Sequence, residues 1–150
     1  MKRLGIYAGS FNPFHNGHYN IYSKARNLFD EVLIAVGINP DKDTASQQQI
    51  SVNDICDRIP HVLVENFTCM LHELIIEKEQ ACDVTLVRGL RNGYDLDYEM
   101  NQYRFLQEFK FDIKVVYIPC DKEFEHISST ALRGMQNFCS IENFLPKRIK

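Results

Sequence analysis

No apolar run in this chain approaches the ~18 residues that a membrane span requires. The opening residues Met1-Lys2-Arg3-Leu4 pass straight into a strand-like segment and hold no apolar core of a secretion signal. A cytoplasmic protein without a membrane partner is therefore expected. Basic charge is also in short supply, with 17 Lys and Arg against 20 Asp and Glu, a formal net charge of −3. Nucleic-acid binding usually needs a basic face, so no nucleic-acid partner is expected and anionic ligands must be held by locally placed cations. The five cysteines, Cys56, Cys69, Cys82, Cys120 and Cys139, are odd in number, widely spaced and free of any Cys-x-x-Cys pair. This pattern favours scattered reduced thiols over disulfides or zinc. Neither Gly-x-Gly-x-x-Gly nor Gly-x4-Gly-Lys-Ser/Thr occurs, so a dinucleotide fingerprint and a P-loop are both excluded. There is no internal repeat, low-complexity tract or linker.

What is present is a globular composition. Of 150 residues, 45% are hydrophobic and 25% charged, with 10 Phe and 7 Tyr, enough to build one domain over 1–150 with a real core. Strand-like runs recur at 4–8, 32–36, 62–64, 84–87 and 113–118. Helical patterns lie between them. The first carries Ile21, Tyr22, Ala25, Leu28 and Phe29 on one face. The second, 51–58, is short and weak. The third, 70–80, spaces Leu71, Leu74, Ile75 and Lys78, and the fourth, 96–109, aligns Leu96, Met100, Tyr103 and Leu106. Alternation of nearly all-apolar strands with helices predicts a doubly wound, parallel α/β sheet, with ligands at the strand C-termini. The polar stretch 39–49 reads as a mobile loop over the site.

Four segments carry chemistry. Gly9-Ser10-Phe11-Asn12-Pro13-Phe14-His15-Asn16-Gly17-His18 joins the first strand to the first helix, where open α/β sheets bind phosphates. The bland alternative is a tight turn with a helix-capping histidine. His15 and His18 could also hold a metal, but no third ligand has obvious spacing, and no residue is assigned to a metal. Arg88-Gly89-Leu90-Arg91 closes the fourth strand, with two arginines able to grip two phosphates or simply to lie solvated on a turn. Ile127-Ser128-Ser129-Thr130 opens a late helix, with Ser128 as its N-cap, and is either an anion site or a plain cap. Lys42 stands alone in the loop after the second strand. No nucleophile is paired with a base, and a cluster of His, Lys, Arg and hydroxyls suggests phosphoryl or nucleotidyl transfer by positioning and charge neutralisation.

These residues resemble the nucleotidyltransferase superfamily with a Thr/His-x-Gly-His loop, here His15-Asn16-Gly17-His18, and an Ile-Ser-Ser-Thr-x-x-Arg motif, here Ile127 through Arg133. Within it, Arg88-Gly89-Leu90-Arg91 followed by Asp95-Leu96-Asp97-Tyr98-Glu99-Met100 is similar to the phosphopantetheine adenylyltransferase family, as is Phe144-Leu145-Pro146. The resemblance spans essentially the whole chain. It implies a Rossmann-like sheet of five strands in the order 3-2-1-4-5. It also implies transfer of AMP from ATP to 4′-phosphopantetheine, giving dephospho-coenzyme A and pyrophosphate, with Mg²⁺ and a homohexamer. Positions near Phe67, Leu71 or Phe138 are expected to serve subunit contacts.

Carried over by motif, His18 stabilises the reacting α-phosphate, and Ser10 and Lys42 orient the attacking phosphate. Arg88 and Leu74 join Ser10 and Lys42 in binding phosphopantetheine. The ATP set is Gly9, Phe11, His15, Gly17, His18, Gly89, Arg91, Glu99, Phe124, Ile127, Ser128, Ser129 and Thr130. Three departures stand out. His15 replaces the family's usual threonine, as in mononucleotide adenylyltransferases and cytidylyltransferases, and opens the alternative of a nicotinate or nicotinamide mononucleotide acceptor. Ser51-Val52-Asn53-Asp54-Ile55 replaces a Thr-Leu-Glu-Glu-Arg helix start, keeping the N-cap hydroxyl but not the acid–base pattern. Asn92-Gly93-Tyr94 replaces a more apolar segment.

Overall fold

The computed structural model describes residues 1–37 and 44–149. Strands β1 (Lys2–Gly9), β2 (Glu31–Val36), β3 (Leu63–Asn66), β4 (Cys82–Leu90) and β5 (Val115–Pro119) alternate with helices α1 (Asn16–Arg26), α2 (Thr44–Arg58), α3 (Leu71–Glu79) and α4 (Gly93–Phe109). A short helix, α5 (Ser129–Met135), follows, flanked by single 3₁₀ turns at Lys122–Phe124 and Glu142–Phe144. All strand pairs are parallel, in the order β3-β2-β1-β4-β5, as expected.

The period-2 alternation of the strands sorts the core onto two faces. Tyr7, Ile34, Val36 and Val87 face one way and pack under Ile21, Tyr22 and Ala25 of α1 and Ile55 of α2. Leu4, Ile6, Leu33, Ala35 and Leu86 face the other way and pack under Leu74 and Ile75 of α3. Tyr103 and Leu106 of α4 flank this second layer. Full burial of each such side chain contributes roughly 1.5–3 kcal/mol. A third, smaller cluster of Ile127, Leu132, Ile141 and Leu145 docks the C-terminal segment.

Several element boundaries differ from expectation. Helix α2 begins at Thr44 rather than 51, so 44–49 is helix and not loop, and Ser51 is a buried mid-helix residue rather than an N-cap. The reason is Gln48. Its side-chain amide is buried and donates to Val36 O at 3.0 Å and Phe67 O at 2.8 Å, the carbonyls of the last residue of β2 and the first residue after β3. The acid–base pattern returns one turn later as Asp54–Arg58, with Arg58 Nε 2.9 Å from Asp54 Oδ1. Helix α1 stops at Arg26, leaving Leu28 and Phe29 beyond it, and Leu28 is exposed. Of the expected contact positions, Phe138 is exposed, whereas Phe67 and Leu71 pack against the second apolar layer.

Candidate active site

The C-terminal ends of β1 and β4 converge on a cavity of about 370 Å³. Its wall contains Gly9, Ser10, Phe11, His15, Gly17 and His18 from the first loop and helix. Arg88, Gly89, Arg91 and Glu99 come from β4 and α4, and Phe124, Ile127, Ser128, Ser129 and Thr130 from the last segment. Three segments far apart in the chain therefore meet at one sheet edge. One expected residue does not join them. Leu74, expected to touch substrate, is buried in the apolar layer beneath the sheet and lines no described cavity, because its place on the α3 stripe turns it onto the strands. Lys42 lies outside the described residues. The cavity also uses Tyr7, Asp95, Tyr98 and Cys120, which sequence reasoning did not assign. Asp95 and Tyr98 sit inside the Asp-x-Asp-Tyr-Glu-Met block, which was the available signal.

The first loop is built around its two histidines. His15 is the N-cap of α1, and its Nδ1 accepts from Gly17 N at 3.1 Å and His18 N at 3.3 Å. His15 N in turn donates to His18 Nδ1 at 3.1 Å. This is a capping box made of two imidazoles. The rings stack with centroids 3.7 Å apart, and Phe11 and Phe14 enclose His18 at 5.0 and 5.3 Å. Gly17 is required by this arrangement, since a Cβ there would stand 2.9 Å from the His15 ring. Phe11 holds a left-handed backbone, φ 47°, an unusual conformation for a bulky residue that tends to occur at functional turns.

The capping fixes the protons. Each Nδ1 accepts a backbone N–H and so carries no proton, which leaves the neutral ring's N–H on Nε2. Burial, reinforced by Arg91, pulls His15 down to about 4. Burial first, then His15 and Arg91, hold His18 well below the ordinary histidine range. Both rings are therefore neutral Nε2–H donors at neutral pH. The helix start offers imidazole in place of the two backbone amides that His15 has already satisfied.

The bland reading of His15 as a cap is thus correct, and it explains the departure from threonine. Threonine is also a preferred N-cap. Histidine fills the same structural position through Nδ1.

Arg88 projects from β4 into the wall. Its Nε and Nη2 bind Glu99 Oε2 and Oε1 at 2.9 and 2.8 Å, and Nη1 binds Ala8 O at 2.9 Å. Its bidentate edge is thus already taken by a carboxylate. Burial opposes the guanidinium charge, but the Glu99 bonds outweigh this and raise the Arg88 pKa. Arg91 is more exposed and pairs with Asp95 at 3.2 Å. Gly89 lets α1 approach β4, because a Cβ there would meet Ile21 at 2.9 Å. On the opposite wall, Ser128 caps α5 by accepting from Ala131 N at 3.1 Å, as expected. Ser129 Oγ donates to Pro13 O at 3.0 Å and ties α5 to the first loop.

A second cavity of about 260 Å³ lies between α3 and α4 and is lined by Leu71, Leu86, Phe105, Leu106 and Val115 among others. Arg88, Tyr98 and Glu99 line both cavities. One space is rich in glycine, hydroxyl and cationic groups, the other is mainly apolar, and an ion pair forms part of both walls.

Comparison with known proteins agrees with this geometry. Residues 6–135 match the cytidylyltransferase-like family. The chain is 30% identical over 152 aligned positions to phosphopantetheine adenylyltransferase of Francisella tularensis subsp. novicida, covering 98% of this chain and 92% of that one. Among solved structures, a putative nicotinate-nucleotide adenylyltransferase from Vibrio parahaemolyticus superimposes with a TM-score of 0.69 at 18% identity, over 98% of this chain and 88% of that one. A Plasmodium falciparum nicotinic acid mononucleotide adenylyltransferase gives 0.61 at 17% identity, over 95% and 88%. At those identities the two structures speak for the fold alone. With its family match and full-length relative, the chain belongs to the cytidylyltransferase-like nucleotidyltransferases, and among them to the phosphopantetheine adenylyltransferase family.

Proposed function

We propose that this enzyme transfers AMP from ATP to 4′-phosphopantetheine, releasing pyrophosphate and forming dephospho-coenzyme A. The observation that carries the reading is the shared wall at Arg88 and Glu99. A nucleotide triphosphate suits the larger cavity, with its hydroxyls and imidazole donors. An acceptor with a phosphate at one end and a long, largely apolar arm suits the smaller one. The two phosphates then meet near Arg88.

In this reading the acceptor phosphate oxygen attacks the ATP α-phosphorus, and the bond to the β-phosphate oxygen breaks. Charge grows on the α-phosphate oxygens, and His18, already neutral and carrying its proton on Nε2, donates to them without a prior change of state. Ser10, Lys42 and Arg88 orient the attacking phosphate. Arg91, Ser129 and Thr130 hold the leaving pyrophosphate. Glu99 keeps Arg88 in place, and Phe124 and Ile127 enclose the base. Catalysis is by positioning and charge compensation, with no covalent enzyme intermediate.

Mg²⁺ belongs to the proposal as a partner of ATP. Among the described residues there is no group of three His, Cys, Asp or Glu side chains poised for a metal. Mg²⁺ commonly keeps several waters and binds through substrate phosphates, so this site fits it without a protein cage. When bound, the ion neutralises triphosphate charge. A homohexamer is also proposed. Exposed Tyr94, Tyr98, Phe105 and Phe109 along α4, with Phe111 beyond it, offer the apolar surface that assembly would cover. Among the described residues no helix is long and apolar enough to cross a membrane, and a cytoplasmic location is part of the same proposal.

Pyrophosphate release from ATP, measured with 4′-phosphopantetheine and with nicotinate and nicotinamide mononucleotides, tests the reading. Release only with a mononucleotide would replace the acceptor while leaving the nucleotidyl-transfer chemistry in place.

A further inference from the structure

Further along α1 from His18, a small polar cluster joins two elements that carry site residues. Asn20 Nδ2 donates to Asp121 Oδ2 at 2.9 Å, and Asp121 N donates back to Asn20 Oδ1 at 2.9 Å. Lys24 Nζ, one turn further along α1, donates to Asp121 Oδ1 and to Pro119 O, both at 2.8 Å. Asp121 thus receives α1 through its side chain and its backbone together, and Lys24 also grips the last residue of β5. None of these three side chains lines the cavity.

What they hold does line it. Asp121 is the residue from which the 3₁₀ turn Lys122–Phe124 starts, and Phe124 N bonds Asp121 O at 3.0 Å. Ile127 N then bonds Phe124 O at 3.0 Å. Cys120, Phe124 and Ile127 all face the cavity, and Phe124 Cβ lies 3.8 Å from where a Cβ on Gly17 would be. The 120–127 segment therefore has its register against α1 set at Asp121, whose partner Asn20 stands two residues from His18 along the helix.

We infer that Asn20, Lys24 and Asp121 form a positioning clamp that sets nucleotide affinity by holding the 120–127 wall at a fixed distance from the His18 helix. The inference rests on the reading of the larger cavity as the nucleotide site. It goes beyond that reading by assigning affinity to three residues that touch no substrate. An exposed ion pair adds little to global stability. The local consequence is larger, because these bonds fix the start of the turn directly on α1.

The test is direct calorimetric binding of ATP, with steady-state kinetics and thermal melting, on Asp121→Ala, Asn20→Ala, the double variant and Asp121→Asn. Asp121→Ala is expected to weaken ATP binding about tenfold, equivalent to about 1.4 kcal/mol. Turnover at saturating ATP and KM for the acceptor should stay within about twofold, and Tm within about 3 °C, because the lost surface pair is worth under ~1 kcal/mol to the fold. The double variant should lose less ATP affinity than the two single losses added together, since both changes break the bond from Asn20 Nδ2 to Asp121 Oδ2 and only Asn20→Ala also removes the acceptor of Asp121 N. Asp121→Asn keeps the backbone bond and one acceptor oxygen and should recover most of the affinity. Unchanged ATP binding in the alanine variants overturns the clamp. So does a parallel loss of ATP affinity, acceptor KM, turnover and Tm, which would mark general loosening. Absence of ATP binding by the unaltered protein would overturn the nucleotide reading as well, which separates the two failures.

Discussion

Arg88 and Glu99 meet fork to fork in the wall common to both cavities, with N···O distances of 2.9 and 2.8 Å and side-chain exposures of 26% and 9%. The pair thus has a structural role that is separate from any role in binding. Removing one partner leaves the other's charge buried and unpaired, whereas removing both charges costs far less. Arg88→Ala is therefore expected to lose about 3 kcal/mol of stability and to raise KM for the acceptor more than for ATP. Arg88→Ala with Glu99→Gln should regain much of the stability and none of the acceptor affinity. Urea unfolding and acceptor kinetics on both variants separate the two roles. Recovery of both properties together would show that Arg88 contributes only scaffolding.

His18 is expected to act on turnover. Its Nε2–H donor is fixed by the Nδ1 bond to His15 N, and burial keeps the ring neutral. Loss of a donor aimed at developing charge costs roughly 100-fold in rate, near 3 kcal/mol. His18→Ala should lower kcat by that order while KM for ATP moves only a few-fold. Because His18 is already neutral well below its usual range, the pH profile of kcat for the unaltered enzyme should show no acidic limb near 6.5. A limb there, abolished in the variant, would mean that a charged His18 has to lose its proton before turnover.

The parallel sheet and the meeting of three distant segments were legible in the sequence because both follow from alternation of apolar strands with helices and from loops at strand ends, while the strand order came with the family resemblance. Three features were not legible, each for a physical reason. The start of α2 was hidden by Gln47, Gln48 and Gln49, which look like loop residues. Gln48 is in fact buried because it serves the carbonyls of Val36 and Phe67, 12 and 19 residues away along the chain. Leu74 was assigned to substrate, yet helical spacing alone cannot say which apolar residue of a stripe faces the core and which the cavity. The occupation of Arg88 by Glu99 needs the register of α4 against β4, which no local pattern encodes. The capping role of His15 was within reach, since cap and ligand were both open readings, but only the fold shows its Nδ1 spent on the helix.

Acid should weaken the fold through His15. Its pKa falls from an unfolded value near 6.5 to about 4 in the folded chain, because burial disfavours the charged ring and Arg91 repels it. Between those values the unfolded chain binds a proton that the folded chain does not, so stability falls as pH drops through this window. Above about 6.5 the contribution is complete, and by about pH 4 some 3 kcal/mol has been lost to this one group. Urea midpoints measured from pH 7.5 to 4 should show the decline, and His15→Thr, which leaves only His18 of the two buried imidazoles, should make it shallower. An equal slope in both proteins would place the acid sensitivity elsewhere.

His15→Thr also decides what the histidine means for acceptor choice. In relatives with other acceptors, histidine at this point of the loop would suggest a mononucleotide. Here its Nδ1 accepts from Gly17 N and His18 N, a capping task that a threonine hydroxyl also performs, so the exchange leaves the start of α1 satisfied. In the proposed reading the acceptor end of the site is instead set by Arg88, Tyr98 and Glu99, which line both cavities and lie outside the His15 cap. The variant should therefore keep 4′-phosphopantetheine as its acceptor and form no dinucleotide. ATP kinetics should change only modestly, within about threefold, the scale of one weakened neutral contact. Loss of the stacked ring at 3.7 Å also removes one of the influences that depress His18, so the His18 pKa should move upward. Dephospho-coenzyme A and dinucleotide formation measured side by side in both proteins give the answer. A switch of acceptor on this single exchange would make His15 a specificity residue and refute its reading as a cap.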